Sequence, residues 1–382
     1  MQSIEHWSYW ERKNYSFDVD FVIIGAGIVG YNTALQLRRR NPKAKIVVIE
    51  RGLLPSGAST KNAGFACFGS ATELFDDMNT FGPEVVWETV EMRWKGLRAL
   101  RKAHGDAAID FQPNGSWDLI TEQEITVFEA VVPHLDEYNY RIKCITGESD
   151  VYRVDDSVGD VFGFQGIQTS IRNILEGQID TGKMNTSLYQ QVTSVDIRVL
   201  FGVHALSVHS DSDNISIETN LGILHCKKVA ICTNGFARHL LPEEDVSPAR
   251  AQVLITEPIR DLAVKGTFHY QTGYYYFRNI DNRILLGGGR NLDKEGETTT
   301  EMITTDFIMR NLEKFLHEVI LPNREISISM RWAGVMGVGG SKRPILKEIR
   351  RNVYCGVRLG GMGIAIGTLV GQELGDAISE GM

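Results

Sequence analysis

The sequence predicts an α/β protein whose first domain is built on a parallel sheet and whose second domain is α+β, with a largely antiparallel sheet. Two local patterns lead to this prediction. Residues 19–50 contain a short apolar run, a glycine-rich turn, a helical stretch and a second apolar run, as in a strand–helix–strand unit. Residues 273–289 contain two alternating stretches around Asp281 and Asn282, as in an antiparallel hairpin. The length of 382 residues fits two domains.

Composition limits the classes of function. The formal net charge of -8 argues against nucleic-acid binding, which usually requires a basic surface. No window approaches the ~20 apolar residues of a membrane helix, and the first 20 residues lack the apolar core of a signal peptide. A cytoplasmic protein is therefore expected. We expect reduced thiols and no metal site, because the histidines lack ligand spacing and the cysteines form no CxxC pair. The cysteines are Cys67, Cys144, Cys226, Cys232 and Cys355.

The N-terminal unit carries a dinucleotide-binding pattern. Phe21–Ile24 form a continuous apolar run, typical of a parallel strand buried on both faces. Gly25, Gly27 and Gly30 then complete G-x-G-x-x-G ahead of a helix predicted over Tyr31–Arg40. The first glycine permits the tight turn, the second lets a pyrophosphate approach the backbone, and the third lets helix and strand pack closely. This context predicts a Rossmann-like fold with the pyrophosphate at the helix N-terminus.

Glu50 ends the second predicted strand, Ile46–Ile49, and lies 20 residues after Gly30. At that spacing a carboxylate can accept hydrogen bonds from a ribose 2′-hydroxyl, and its charge would repel the 2′-phosphate of NADP. The pattern alone does not distinguish FAD from NAD. The loop Gly57–Gly64, rich in small residues, and the glycines at Gly360–Gly367 favour FAD, because both bring backbone close to a bulky ligand.

These segments resemble the D-amino-acid oxidase superfamily of FAD-dependent oxidoreductases, in particular its glycine oxidase, sarcosine oxidase and gamma-glutamylputrescine oxidase branch. GASTKNAG, residues 57–64, resembles a family loop that lies against the flavin. Residues 353–378 resemble the family's C-terminal strand, glycine loop and helix beside the flavin. Further similar segments follow the family's order along the chain: 111–116, 182–189, 203–206, 228–235, 250–252 and 273–289.

The resemblance implies non-covalent FAD, interleaved domains and a set of cofactor-binding residues. The cofactor domain would take residues 1–85, 150–235 and 330–382, and the substrate domain 86–149 and 236–329, beginning with a helix over Val85–His104. The expected FAD-binding residues are Gly25, Gly27, Ile28, Gly30, Glu50, Arg51, Ser59, Thr60, Asn62, Ala63, Gly64, Val203, Thr233, Asn234, Gly235, Gly360, Gly361, Met362, Gly363 and Ile364.

The resemblance also implies a reaction: an amine-bearing carbon loses hydride to flavin N5, and water hydrolyses the resulting imine. The flavin carries this chemistry, so no catalytic side chain is assigned. The partners would be a small amine or amino acid and O2 or another electron acceptor. The candidate substrate-pocket residues are Tyr275, Tyr276, Arg331, Met336, Arg358 and Met362. Only one of the two adjacent tyrosines should face the pocket, because side chains alternate along a strand.

The sequence departs from its relatives where they bind substrate or activate O2. Val335 or Met336 replaces the arginine that pairs with the substrate carboxylate in related amino-acid oxidases, and Ala365 replaces a lysine of sarcosine oxidases. Leu285 stands where those oxidases place an O2-activating lysine, which favours a dehydrogenase with another acceptor. Besides Arg331 and Arg358, the basic residues Lys342 and Arg343 are alternative anion partners.

Two other functions stay open at this point. One is an FAD-dependent dehydrogenase of a 2-hydroxy acid or glycerol phosphate, for which Lys342 and Arg343 offer an anion site. The other is a non-catalytic flavin-binding subunit, which would explain the lost substrate anchors. The sequence leaves the substrate, the acceptor and the oligomeric state undetermined.

Overall fold

The structure, a computed structural model, describes residues 8–11, 18–211 and 214–380. Residues 1–7 and 12–17 lie outside the described residues. They make up most of the N-terminal stretch that the sequence analysis expects not to be a signal peptide. The described chain contains two eight-stranded sheets and a two-stranded one, flanked by helices. This arrangement confirms the predicted fold class.

The strands are numbered in chain order. They are β1 (Asp18–Ile24), β2 (Ile46–Glu50), β3 (Phe65–Ala66), β4 (Ser116–Thr121), β5 (Tyr152–Val154), β6 (Ile167–Asn173), β7 (Gly177–Gln178), β8 (Arg198–Phe201), β9 (Ala205–Ser210), β10 (Ile215–Thr219), β11 (Gly222–Ile231), β12 (Ser247–Thr256), β13 (Thr267–Tyr270), β14 (Tyr275–Ile280), β15 (Arg283–Gly288), β16 (Ile328–Val338), β17 (Ile345–Arg350) and β18 (Val353–Val357).

The α-helices are numbered in the same way. They are α1 (Ile28–Arg40), α2 (Ala71–Phe81), α3 (Pro83–His104), α4 (Ile125–Val131), α5 (Leu135–Thr146), α6 (Val158–Phe162), α7 (Thr181–Ser194), α8 (Asp306–Phe315) and α9 (Gly363–Glu380).

The first sheet has a parallel centre, as the sequence predicts. Its strand order is β17-β18-β11-β1-β2-β8, and β9 and β10 extend it from β11 as an antiparallel meander. β1 pairs in parallel with both β2 and β11. Successive residues of β1 enter different cores: Phe21 and Ile23 pack with the helices, whereas Val22 and Ile24 pack with the meander. The strand is buried on both faces, which explains its unbroken apolar run.

The C-terminal helix packs closely against the helix that follows β1. A Cβ atom placed on Gly367, Gly371 or Gly375 of α9 would lie 2.6–2.7 Å from side-chain atoms of α1. These glycines lie four residues apart and therefore share one face of α9. The close packing brings the loop before α9 next to the N-terminus of α1.

The second sheet is largely antiparallel, as predicted. Its order is β16-β12-β15-β14-β13-β4-β6-β5, and the only parallel pair along this path is β13 with β4. The β14–β15 turn has φ values of 48° at Asp281 and 56° at Asn282, the left-handed conformation that a tight two-residue hairpin requires. Helix α8 covers the outer face of this sheet, where Ile308, Met309 and Leu312 are buried.

Several elements group differently from the predicted domain segments. β5 and β6 fall in a segment assigned to the cofactor domain, as does most of β16, yet all three belong to the second sheet. Helix α3 starts the predicted substrate segment, yet Val86, Val90 and Leu97 pack in the core that α1 and α9 share. The division into two domains therefore stays a prediction, and these elements would move its boundaries.

Among the described residues, none of the helices is long and apolar enough to cross a membrane.

A buried ion pair ties β12 to the connection between β15 and α8, and we predict that it is required for stability. Arg250 Nη2 lies 2.7 Å from Glu297 Oε1, with side chains only 5% and 1% exposed. Glu297→Gln leaves the buried guanidinium without its counter-charge, so the free energy of unfolding should fall by about 3–5 kcal/mol. The matched control Glu257→Gln breaks the exposed pair with Arg283 and should cost about 0–1 kcal/mol. Equal losses in denaturant unfolding would contradict this assignment.

Candidate functional site

A cavity of about 890 Å³ lies between the first and second sheets, near the upper end of the range for small-molecule sites. One part is lined by the C-terminal ends of β1, β2 and β11, the loop 55–64 and the loop 359–365. The other part is lined by β16, the β13–β14 connection and helix α2. The cavity therefore joins the edge of a parallel sheet, where α/β proteins bind nucleotides, to the inner face of the second sheet.

The glycines after β1 create a bare helix N-terminus at the cavity. Gly25 has a φ of 110°, and a Cβ there would lie 2.8 Å from the Cys232 carbonyl oxygen. A Cβ on Gly30 would lie 1.9 Å from the Gly25 carbonyl oxygen, so only glycine allows this helix–strand contact. No side chain of its own caps α1 at Gly27. The N–H of Ile28 donates instead to Ser59 Oγ at 2.9 Å. An anionic ligand can approach this end of α1.

Glu50 is 8% exposed and forms the next part of the cavity wall. Its Oε2 accepts from the Ala26 N–H at 3.1 Å, and its Oε1 accepts from the Gly52 N–H at 3.0 Å. The carboxylate is thus held between the glycine turn and the loop after β2. Beside it, the Val203 N–H donates to the Glu50 carbonyl oxygen at 2.9 Å, and the Arg51 guanidinium stacks 3.7 Å from the centre of the Phe236 ring.

Asn62 organises the loop of small residues opposite α1. Its Nδ2 donates to the carbonyls of Ala58 and Ser59, and its Oδ1 accepts from the Gly64 N–H and the Thr181 hydroxyl. A neighbouring contact, from Asn185 Nδ2 to the Ser59 carbonyl at 2.6 Å, ties the loop to α7. The side-chain amides of Asn62 and Asn185 therefore fix the shape of the loop.

Most of the sequence-predicted cofactor residues line this cavity. Those that do are Gly25, Gly27, Ile28, Glu50, Arg51, Ser59, Asn62, Ala63, Gly64, Val203, Thr233, Asn234, Gly360, Gly361, Met362, Gly363 and Ile364. Three predicted residues do not. Gly30 packs against Gly25, Gly235 packs against Met336, and the Thr60 hydroxyl donates to the carbonyls of Pro55 and Gly57. These three residues support the cavity wall by packing behind it, but they do not line the cavity.

The predicted substrate-pocket residues divide in the same way. Tyr276, Met336 and Met362 line the cavity. Tyr275 points to the opposite face of its sheet and packs against Phe315, as strand alternation requires. Neither predicted arginine lines the cavity: Arg331 pairs with Glu313 at 2.6 Å, and Arg358 pairs with Asp245 at 2.7 Å.

Sequence reasoning missed a charged network at the substrate end. Arg93 of α3 lies 3.3 Å from Glu73 of α2, and Lys342 Nζ lies 3.4 Å from Glu73 and 3.0 Å from Asp77. Burial raises the pKa of Glu73, but the charges of Arg93, Lys342 and His269 outweigh it and lower the pKa to about 2. Burial is the main cause that raises the pKa of Asp77. All four network residues line the cavity.

A second polar group includes Cys67 and His269, which line the cavity, and Glu176, which is buried behind its wall. One ligand-type atom each from Cys67, Glu176 and His269 lies within 4.8 Å of the others. The Glu176 oxygens already accept hydrogen bonds from the N–H groups of Phe68 and Gly69 and from the Ser116 hydroxyl. Burial raises the pKa of the Cys67 thiol well above its usual range. This arrangement holds the β3 region in place and disfavours the thiolate that metal binding needs.

We predict that Lys342 supports the fold in a pH-dependent way. The lowered pKa of Glu73 means that its pairing stabilises the protein fully above the ordinary carboxyl value of 4.5 and less as the pH falls towards about 2. Lys342→Met should therefore lower the melting temperature at pH 7.5, and the difference from the unmodified protein should shrink at pH 3, inside the window between 4.5 and about 2 where the stabilisation through Glu73 is lost. Lys95→Met, which removes a surface pair with Glu91, should show a small effect. A Lys342→Met defect that grows on acidification would refute the pairing.

Comparison with known proteins places the chain in a family. The sequence model of the DAO family, described as FAD dependent oxidoreductase, matches residues 20–377. A curated relative, the probable oxidoreductase OrdL of Haemophilus influenzae, is 20% identical over 417 residues, which cover 97% of this chain and 87% of that protein.

Solved structures share the fold over nearly the whole chain. Glycine oxidase from Geobacillus kaustophilus has a TM-score of 0.77 at 16% identity, covering 96% of this chain and 95% of that one. L-proline dehydrogenase from P. horikoshii has a TM-score of 0.74 at 17% identity, covering 95% and 94%. Iminodiacetate oxidase from Chelativorans sp. BNC1 has a TM-score of 0.75 at 17% identity, covering 94% and 95%. The chain thus belongs to the DAO family and is an FAD-dependent oxidoreductase.

Proposed function

We propose that this enzyme uses non-covalently bound FAD to oxidise a C–N bond of a small amine or amino acid. One observation carries the proposal: a single cavity joins the glycine turn at the N-terminus of α1 to a polar pocket beneath the second sheet. A cofactor whose pyrophosphate binds at the N-terminus of α1 would extend to a substrate held in the polar pocket.

The residues present fit FAD. The backbone around Gly27 leaves the space that a Cβ would fill and would hold the pyrophosphate at α1. The Glu50 carboxylate would accept hydrogen bonds from the ribose. The carbonyl of Val203 accepts no hydrogen bond from the described residues and would accept one from the adenine amino group. The loop 360–364 and the start of α9 would lie beside the flavin ring.

The cysteines support a non-covalent cofactor. Cys355 is fully buried in the core around the meander and does not line the cavity. Cys67 and Cys232 do line it, but burial raises the pKa of both thiols, to about 12 for Cys232, which disfavours nucleophilic attack.

The comparisons give the chemistry its class. Three structural neighbours are named for oxidising glycine, L-proline and iminodiacetate, each of which contains an amine nitrogen. When bound, FAD supplies the hydride acceptor for the carbon that bears the amine. This chain's own residues would orient that carbon, with Tyr276 and Met336 on the wall, and water would hydrolyse the imine product.

The hydroxy-acid or glycerol phosphate alternative loses its main support. Arg343 pairs with Glu88, and Lys342 bridges Glu73 and Asp77. Neither cation is left free to bind a phosphate or a carboxylate. The alternative therefore becomes one arm of the test.

The experiment is anaerobic mixing of the purified holoenzyme with a panel of amino acids, simple amines, 2-hydroxy acids and glycerol phosphate. We expect at least one amine or amino acid to bleach the oxidised-flavin absorbance. Admitting O2 afterwards and timing reoxidation distinguishes an oxidase from a dehydrogenase. Reduction by hydroxy acids alone would replace the proposal, and no reduction by any compound would favour a non-catalytic subunit.

We also predict that Glu50 contributes to FAD affinity. Glu50→Gln removes the charge and one of the two acceptors that hold Ala26 and Gly52. The dissociation constant of FAD should rise about tenfold or more, as expected for loss of a hydrogen bond to a charged group. Titration of the apoprotein with FAD, followed by quenching of flavin fluorescence, measures this. Glu129→Gln on the exposed side of α4 is the matched control, and equal affinities of the two variants would refute the role of Glu50.

A further inference from the structure

The backbone turn at the end of β15 places one side chain, that of Arg290, at the rim of the cavity. Gly288 has a φ of 128°, and a Cβ there would lie 2.1 Å from the Tyr274 carbonyl oxygen. Gly289 has a φ of 74° and donates its N–H to the same oxygen at 3.0 Å. Gly288 admits only glycine, and the left-handed φ of Gly289 favours glycine. The chain therefore turns tightly against Tyr274, and Arg290 follows at the start of a short 3₁₀ helix, where it lines the cavity.

The guanidinium of Arg290 has no partner within the described part of the chain. Its Nε is buried without a hydrogen-bond acceptor, and none of the described carboxylates lies within ion-pair distance of it. The buried Nε–H is unfavourable as it stands, because it has lost water and gained no acceptor. A ligand with a carboxylate would supply the missing acceptors, since the planar guanidinium and a carboxylate fit each other through two parallel hydrogen bonds.

The other cations on the cavity wall are engaged or differently placed. Arg93 and Lys342 are neutralised by Glu73 and Asp77. At the opposite end of the cavity, Arg51 stacks on Phe236.

Two lysines remain to be compared with Arg290. Lys294 is exposed and lies over the Tyr274 ring at 5.6 Å. Lys61 packs beside Gly334 on the β16 wall, and its carbonyl accepts a hydrogen bond from the Trp332 indole N–H at 3.0 Å. Lys61 offers a point charge without the fork of a guanidinium, and the experiment below tests it separately.

We propose that Arg290 binds the carboxylate of the substrate, which makes the substrate an amino acid rather than a simple amine. This inference rests on the proposed function and specifies its substrate class. Arg290 lies in the short 3₁₀ helix that follows β15, whereas Val335 and Met336 lie on β16, so the anchor reaches the cavity from a different part of the second sheet. Because Glu73 and Asp77 already have cationic partners, the charge of Arg290 is left for the ligand.

The test measures carboxylate binding separately from turnover. Sodium acetate and sodium benzoate, which carry a carboxylate and no amine, are titrated into oxidised holoenzyme while the flavin absorption spectrum is recorded. We expect Arg290→Met to weaken their binding about 10- to 100-fold, the loss of a charge-assisted bidentate pair, and Arg290→Lys to recover only part of it. Arg331→Met is the matched control, since that arginine faces Glu313 outside the cavity, and should leave binding unchanged. FAD content and melting temperature establish that each variant folds.

The outcomes separate this inference from the proposed function. If Arg290→Met binds both carboxylates as the unmodified enzyme does, or if Lys61→Met and not Arg290→Met loses them, the assignment to Arg290 is overturned. Failure of acetate and benzoate to perturb the unmodified holoenzyme overturns it as well. A holoenzyme whose flavin no amine or amino acid reduces defeats the proposed function, whereas the titration still shows whether Arg290 binds carboxylates. Amino acids should reduce the flavin of the unmodified enzyme more efficiently than the matching decarboxylated amines, and equal efficiency would contradict the substrate class.

Discussion

The close approach of three backbone segments at Gly25 is the constraint on which the rest of the site depends. The turn after β1 passes so near the end of β11 that a Cβ on Gly25 would lie 2.8 Å from the Cys232 carbonyl oxygen, and α1 passes so near the turn that Gly30 must lack one too. This crowding fixes the N-terminus of α1 at the cavity, where Gly27 presents backbone without a side chain. The Glu50 carboxylate and the Ser59 hydroxyl both accept hydrogen bonds from backbone N–H groups at that end of the helix, so their positions depend on it.

The substrate end is organised by charge. Glu73 and Asp77 are brought together by α2, Arg93 reaches Glu73 from the next helix, and Lys342 reaches both acids from a distant part of the chain. Each acid has a cationic neighbour, so burial of the group is tolerated. Arg290 stands apart from this network with unmet donors, and it is the feature that gives the cavity a chemical preference.

The predictable parts of the structure are those that neighbouring residues determine. The apolar run of β1, its glycine turn, the position of Glu50 and the turn at Asp281 and Asn282 follow from local periodicity and backbone conformation. Alternation along β14 correctly implied that only one of its two tyrosines faces the cavity. Long-range pairing was not predictable in this way. Lys342 meets a carboxylate 269 residues away, and Arg331 and Arg358 were candidates because sequence does not reveal that Glu313 and Asp245 neutralise them. Arg290 belongs to no recognisable sequence motif. The reason for Gly288, two residues before it, becomes clear only in the structure, where Gly288 packs against the Tyr274 carbonyl.

Product analysis of a single anaerobic turnover tests the central claim most directly. Holoenzyme is mixed with an acyclic amino acid that reduces its flavin, and reduced flavin, released ammonia or amine, and carbonyl product are quantified together. Oxidation of a C–N bond with hydrolysis of the imine predicts one carbonyl product and one released ammonia or amine for each flavin reduced. Flavin reduction without release of ammonia or amine would contradict the account.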